Sequence, residues 1–207
     1  RLCLRERKLF KSQLRGLLRA SVHGRMRLMF PMISGVGELR EAKDVLEEAK
    51  AELLREGTPF DPKLPVGIMV EMPSAVMVAD LLAKESDFLS VGTNDLIQYA
   101  LGIDRGNEQV AHLYQPLHPA VLRAIKHTID AARRHKIPVG LCGESAADPA
   151  LLPVALGLGF DSLSMPALAV PRVRYVLRRL RYDDTRRLVE ACLHCARARD
   201  VEALVND

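Results

Sequence analysis

"VGIMVEMPSAVMVADLLAKE", Val66 to Glu85, holds an apolar strand, a loop that carries Glu71, and a longer stretch of helical character. The same order recurs on both sides of it. Upstream, "RLMFPMI" is followed by "GELREAKDVLEEAKAELLREG", where Leu39, Ala42, Val45, Leu46 and Ala49 make one apolar face, ended by Gly57. Downstream, "DFLSVGTN" precedes "DLIQYALGI", "IPVGLCGE" leads into "DPALLPVALGLG", and "FDSLSMP" precedes "PRVRYVLRRL". Strands that are apolar nearly throughout, alternating with helices, predict a parallel sheet covered on both faces. Strands are expected near Leu28–Pro31, Gly67–Glu71, Phe88–Gly92, Val139–Cys142 and Ser162–Ser164, parallel and in sequential order. A complete eight-fold barrel typically needs about 250 residues, and this chain has 207. The fold class is α/β, either an open sheet or a barrel without its first strands, ending in a helical tail. The opening "RLCLRERKLFKSQLRGLLRAS" reads as helix with no strand before it, which favours the second form.

The composition, 48% hydrophobic and 27% charged, is that of a soluble globular chain. Apolar runs such as "LLPVALGLGF" are too short and too Gly-rich to span a bilayer, so no membrane insertion is expected. Four cysteines (Cys3, Cys142, Cys192, Cys195) are unevenly placed and do not suggest a disulfide framework. With no charged-then-apolar leader, the expected location is a reducing cytoplasm. The net charge is +4, and much of the excess falls in "PRVRYVLRRLRYDDTRRL". There Val173, Val176, Leu177 and Leu180 recur at helical spacing, so the arginines read as the wet face of amphipathic helices. With 4% aromatics and no nucleic-acid motif, no nucleic acid is expected as partner. "CLHC", Cys192 to Cys195, is a lone CxxC with no second pair, and no metal site is expected there.

In parallel α/β folds the active site gathers at the C-terminal ends of the strands. Read in order, those ends carry Pro31-Met32, Glu71, Thr93-Asn94-Asp95, Cys142-Gly143-Glu144 and Ser164-Met165. Glu71 and Asp95 finish neighbouring strands. A carboxylate there is costly to bury unless something cationic meets it. Two such groups, with positions left for substrate and water, describe a Mg²⁺ site better than a zinc site, which would want His or Cys. A helix-capping role is the other reading, and Asp95 is well placed for it. Arg105, in "GIDRGN", suits bidentate capture of phosphate or carboxylate. Cys142 lies between Gly140 and Gly143, so backbone or ligand can approach it closely.

"GIMVEMPSAV", "DFLSVGTNDLIQYALGIDRGN", "HLYQPLHPAVL" and "VGLCGESAADP" closely resemble the phosphoenolpyruvate-binding C-terminal domain of enzyme I of the bacterial sugar phosphotransferase system. The resemblance implies that residues 1–207 form a phosphoenolpyruvate-utilising barrel domain, of the TIM-barrel type, lacking its first strands. It implies Glu71 and Asp95 as Mg²⁺ ligands, Asn94, Asp95 and Arg105 as phosphoenolpyruvate-binding residues, and Arg15 as a further phosphate-side arginine. It implies Cys142 as the acid that protonates C3 of the enolate, a role that requires a protonated thiol. The family's phosphorylated histidine and its docking site for the small carrier protein HPr are not in this chain. A homodimer is also implied.

Two other readings stand beside it. One is a Mg²⁺-dependent lyase of pyruvate-enolate chemistry on a similar barrel, against which the cysteine block and "DRGN" argue. The other is a non-catalytic dimerisation or phosphoenolpyruvate-sensing fragment.

Overall fold

In the computed structural model, which describes residues 1–206, five strands form one parallel sheet in the order β1-β2-β3-β4-β5. They are β1 (Leu28–Phe30), β2 (Val66–Val70), β3 (Leu89–Gly92), β4 (Val139–Cys142) and β5 (Ser162–Ser164), each within a residue of its expected position. The sheet is open: β1 and β5 are its two edges.

The strands are not apolar on both faces. Side chains alternate along a strand, so Leu28, Phe30, Ile68, Val70, Leu89, Val91, Val139 and Leu141 are buried on one face. The other face carries Met29, Met69, Ser90, Gly140 and Ser162, less buried and smaller or polar. Glu71, Gly92 and Cys142 continue this second face at the strand ends.

Helices cover the apolar face. After a first turn at α1 (Leu2–Arg5), α2 (Arg7–Ala20) buries Phe10, Leu14 and Leu18. The Phe10 ring meets Phe30 of β1 edge to face, centroids 6.0 Å apart. Helix α3 (Val36–Arg55) buries Leu39, Ala42, Val45, Leu46 and Ala49, the face foreseen from their spacing. The helix expected after β2 is two short ones, α4 (Pro73–Met77) and α5 (Ala79–Lys84), divided at Val78, which leaves helical geometry at φ −117° and ψ 26°. Helix α6 (Thr93–Leu101) follows β3 directly, and α7 (Pro119–Arg134) lies between β3 and β4. Helix α8 (Leu152–Leu158) precedes β5.

The tail is helical: α9 (Val170–Leu177), α10 (Tyr182–His194) and α11 (Ala198–Asn206). Val173 is buried while the arginines of this stretch are exposed, so the amphipathic reading holds. Cys192 is fully buried and Cys195 half-buried, both free thiols. Among the described residues, no helix is long and apolar enough to cross a membrane.

Candidate active site

The turn after β1 starts the site. Met32 has φ +56°, a left-handed conformation that costs a non-glycine residue about 1–3 kcal/mol. In that conformation its backbone N–H donates to Glu71 Oε1 at 2.7 Å. Glu71 follows β2 and is only 3% exposed. Gly92, at the end of β3, makes room for it: a Cβ there would stand 2.8 Å from Glu71 Oε2 and 2.9 Å from Met69 Sδ.

Asp95 stands not at the strand end but in the first turn of α6, where the helix dipole favours an acid. Its charge is felt by Glu71. Burial pushes the Glu71 carboxyl above the usual range. The Met32 N–H partly offsets that, and the charge of Asp95 adds to the rise. Among the described residues no lysine or arginine pairs with either acid. Two facing carboxylates with one neutral donor form an anionic site short of positive charge. Their hard oxygens fit Mg²⁺, which characteristically takes one or two protein carboxylates and fills its other positions from substrate and water. No cluster of three or more His, Cys, Asp or Glu side chains with metal-binding geometry occurs among the described residues.

Cys142 ends β4 opposite Gly92. Its Sγ donates to the Val91 carbonyl and accepts from Ser90 Oγ, both at 3.3 Å. Burial pushes the thiol pKa up; the Ser90 bond works against that and the Glu71 charge adds to it. The thiol therefore stays protonated at neutral pH. Gly143 has φ +107°, a conformation open to glycine, and a Cβ there would meet Thr93 Oγ1 at 2.8 Å. This turn brings β4 close to the start of α6, where Thr93 Oγ1 donates to the Cys142 carbonyl at 3.2 Å.

A polar rim follows. Asn94 Oδ1 accepts from Tyr114 Oη at 3.2 Å and from the Glu144 N–H at 3.4 Å. Arg105 Nη1 lies 3.7 Å from Glu144 Oε1, in an exposed pair of little energetic weight. Burial raises the Tyr114 pKa, with the charge of Glu144 adding to it, Arg105 opposing and Asp95 adding again.

Five of the expected residues, Glu71, Asn94, Asp95, Arg105 and Cys142, thus converge on one end of the sheet. Arg15 does not, and that expectation is corrected. Its guanidinium pairs with Glu52 at 3.2 Å and Glu56 at 2.7 Å, around the C-terminal end of α3, whereas the site lies beyond the N-terminal end of that helix. Tyr114 was not singled out in the sequence, although it sits in "HLYQPLHP". A lone aromatic in a polar block was its one signal in the sequence, and the structure half-buries it.

A family profile described as "PEP-utilising enzyme, PEP-binding domain" matches residues 1–182. The phosphoenolpyruvate-protein phosphotransferase of Geobacillus stearothermophilus is 49% identical over 205 residues, 99% of this chain and 36% of that protein. That of Haemophilus influenzae is 46% identical over 207 residues, 100% of this chain and 36% of that protein. The chain thus spans little more than a third of these relatives. A crystal structure of a citrate lyase from Burkholderia xenovorans superposes with a TM-score of 0.59 over 95% of this chain and 66% of that one. At 16% identity this shows a shared fold alone. By the extent of the profile match, the chain belongs to the family of PEP-binding domains of PEP-utilising enzymes.

Proposed function

We propose that this chain binds phosphoenolpyruvate and contributes the metal-binding and acid groups of a Mg²⁺-dependent phosphoryl transfer in the sugar phosphotransferase system. The observation that carries the reading is the placement of the Cys142 thiol at the strand end opposite Gly92, which itself packs on the buried Glu71, with Asp95 in the next turn and no cation paired to either acid. The family and the near-half identity to phosphoenolpyruvate-protein phosphotransferases support it.

Glu71 and Asp95 would hold the ion, with the Met32 N–H fixing one Glu71 oxygen. Bound Mg²⁺ supplies neutralisation of the substrate's carboxylate and phosphate charge. Arg105 is free to leave its loose pair with Glu144 and take the anionic substrate bidentately. Asn94, held by Tyr114, offers an amide to the same substrate. After the phosphoryl group departs, Cys142 gives its proton to C3. The enolate's π pair forms the new C–H bond, the S–H bond breaks, and its pair stays on sulfur as a thiolate. Gly143 lets Thr93 and Asn94 close against the turn that follows the sulfur. On this reading the phosphoryl group goes to a histidine outside this chain and then to HPr, as the resemblance to enzyme I implies.

The test uses the complete protein carrying these residues. Cys142→Ala and wild type are compared for phosphoenolpyruvate affinity by calorimetry and for pyruvate release by a coupled assay. Affinity should persist and pyruvate release should be lost. Pyruvate release at the wild-type rate in the folded variant overturns the acid role.

A further inference from the structure

The sulfur of Cys142 is held from inside the sheet. On the face that carries the site, Ser90 stands opposite Gly140 and Gly92 opposite Cys142. Ser90 and Cys142 therefore point the same way, one step apart diagonally across the β3–β4 seam. Glycine at 140 puts no side chain in the angle between them, and any Cβ there would crowd Ser162 Oγ at 2.8 Å. The Ser90 hydroxyl uses this gap to donate to Sγ at 3.3 Å, while the thiol donates to the Val91 carbonyl at 3.3 Å. The hydroxyl makes no other hydrogen bond among the described residues.

We propose that Ser90 is the positioning residue for the acid Cys142, fixing the direction of its sulfur and donating a hydrogen bond to the thiolate left after proton transfer. This rests on the reading of Cys142 as the acid. In the step itself the S–H bond breaks, C3 gains the proton, and sulfur keeps the electron pair. Ser90 retains its own proton throughout and shares it with the new anion, and water later restores the thiol. Burial and the nearby Glu71 charge both oppose a thiolate here, and the Ser90 hydroxyl is the group that favours it. A hydrogen bond to a charged partner strengthens as the charge develops, so the contribution falls on the proton step rather than on binding.

The proton step can be read in reverse, without phosphoryl transfer: the Cys142 thiolate takes a proton from C3 of pyruvate to give thiol and enolate, the thiol exchanges with D₂O, and the deuteron returns to C3. The complete protein with Mg²⁺ is incubated with pyruvate in D₂O and followed by NMR. Wild type should exchange, and Cys142→Ala should not. Ser90→Ala should slow exchange by about ten- to a hundredfold at an unchanged pyruvate KM. Ser90→Thr, which keeps the hydroxyl, should recover most of the rate. Wild-type exchange in Ser90→Ala, a raised KM in place of a lowered rate, or a threonine variant as slow as the alanine one overturns the role of Ser90 and leaves Cys142 untouched. Exchange persisting in Cys142→Ala sinks the acid reading, and the Ser90 proposal with it.

Discussion

Along the seam between α2 and α3, each of three glutamates meets a cation. Glu48 lies 2.6 Å from Arg7 and 2.9 Å from Lys11, Glu52 lies 2.9 Å from Lys11, and Glu56 lies 2.7 Å from Arg15. Lys11 holds Glu48 and Glu52 below the usual carboxylate range, and Arg15 does the same for Glu56. At the strand ends Glu71 meets Asp95 instead, and burial holds its carboxyl above that range. The first cluster is balanced and lies at the surface, with Lys11, Arg15 and Glu52 half-buried, so it fastens two helices weakly and asks nothing of solution. The second is unbalanced: Glu71 is buried beside Asp95 with no cation paired to either, and that burial opposes its charge. Acids whose surroundings oppose their charge are the ones poised to act on a ligand.

The largest expected difference between the two clusters is in activity. Glu71→Gln keeps the acceptor for the Met32 N–H but removes a charge, and in the complete protein it should lower Mg²⁺-dependent turnover by roughly a thousandfold or more. Turnover within tenfold of wild type would place the metal elsewhere. Next comes Gly92→Ala, whose Cβ would press on Glu71 Oε2 and Met69 Sδ. Such overpacking should cost about 1–3 kcal/mol in urea unfolding and depress turnover as well. A variant of unchanged stability would mean that the carboxylate has room to move.

The third difference is in pH dependence, measured without metal. The folded pKa of Glu71 lies above its ordinary 4.5, so its contribution to stability is full below that value and is lost as pH rises through the folded pKa. Glu71→Gln should therefore be more stable than wild type at neutral pH, with the gap closing toward pH 4.5. The seam has the opposite sign: its depressed carboxylates contribute above their ordinary pKa and lose that contribution as pH falls through the folded values. A gap that widens on acidification would reverse the assignment. The smallest effect belongs to Arg15→Ala. It should lower the melting temperature slightly at low salt, less at high salt, and leave phosphoenolpyruvate affinity unchanged. A lost affinity would return Arg15 to the site.

The first four strands were legible because each carries a short, mostly apolar run bounded by glycine, proline or a polar loop, whereas β5, Ser-Leu-Ser, stood out by its place between two helical stretches. Glu71 and Cys142 were legible for the same reason, since a polar residue at the end of such a run stands out. Arg15 was expected from the resemblance of "SQLRGLLRAS" alone, and an arginine inside a helix looks the same in sequence whether it faces a ligand or a neighbouring helix. Only the packing of α2 on α3 reveals Glu52 and Glu56 as its partners. The Ser90 bond to Cys142 was hidden too, since it depends on the β3–β4 register and not on either stretch alone. The left-handed Met32 leaves no mark in sequence, being neither glycine nor asparagine.

The sequential order of the sheet also bears on how the chain folds. Ile68 pairs with Leu89 across only α4 and α5, and Gly140 pairs with Ser162 across α8. Leu89 must find Val139 past both α6 and α7. Closing the longer loop carries the greater entropic cost, though that cost grows slowly with length. Two β–α units can thus form early on either side of the β3–β4 seam and join there late. Gly92 and Cys142 face each other across that seam, so the thiol reaches the acids only when that pairing forms. A chain without that one pairing would have no active site.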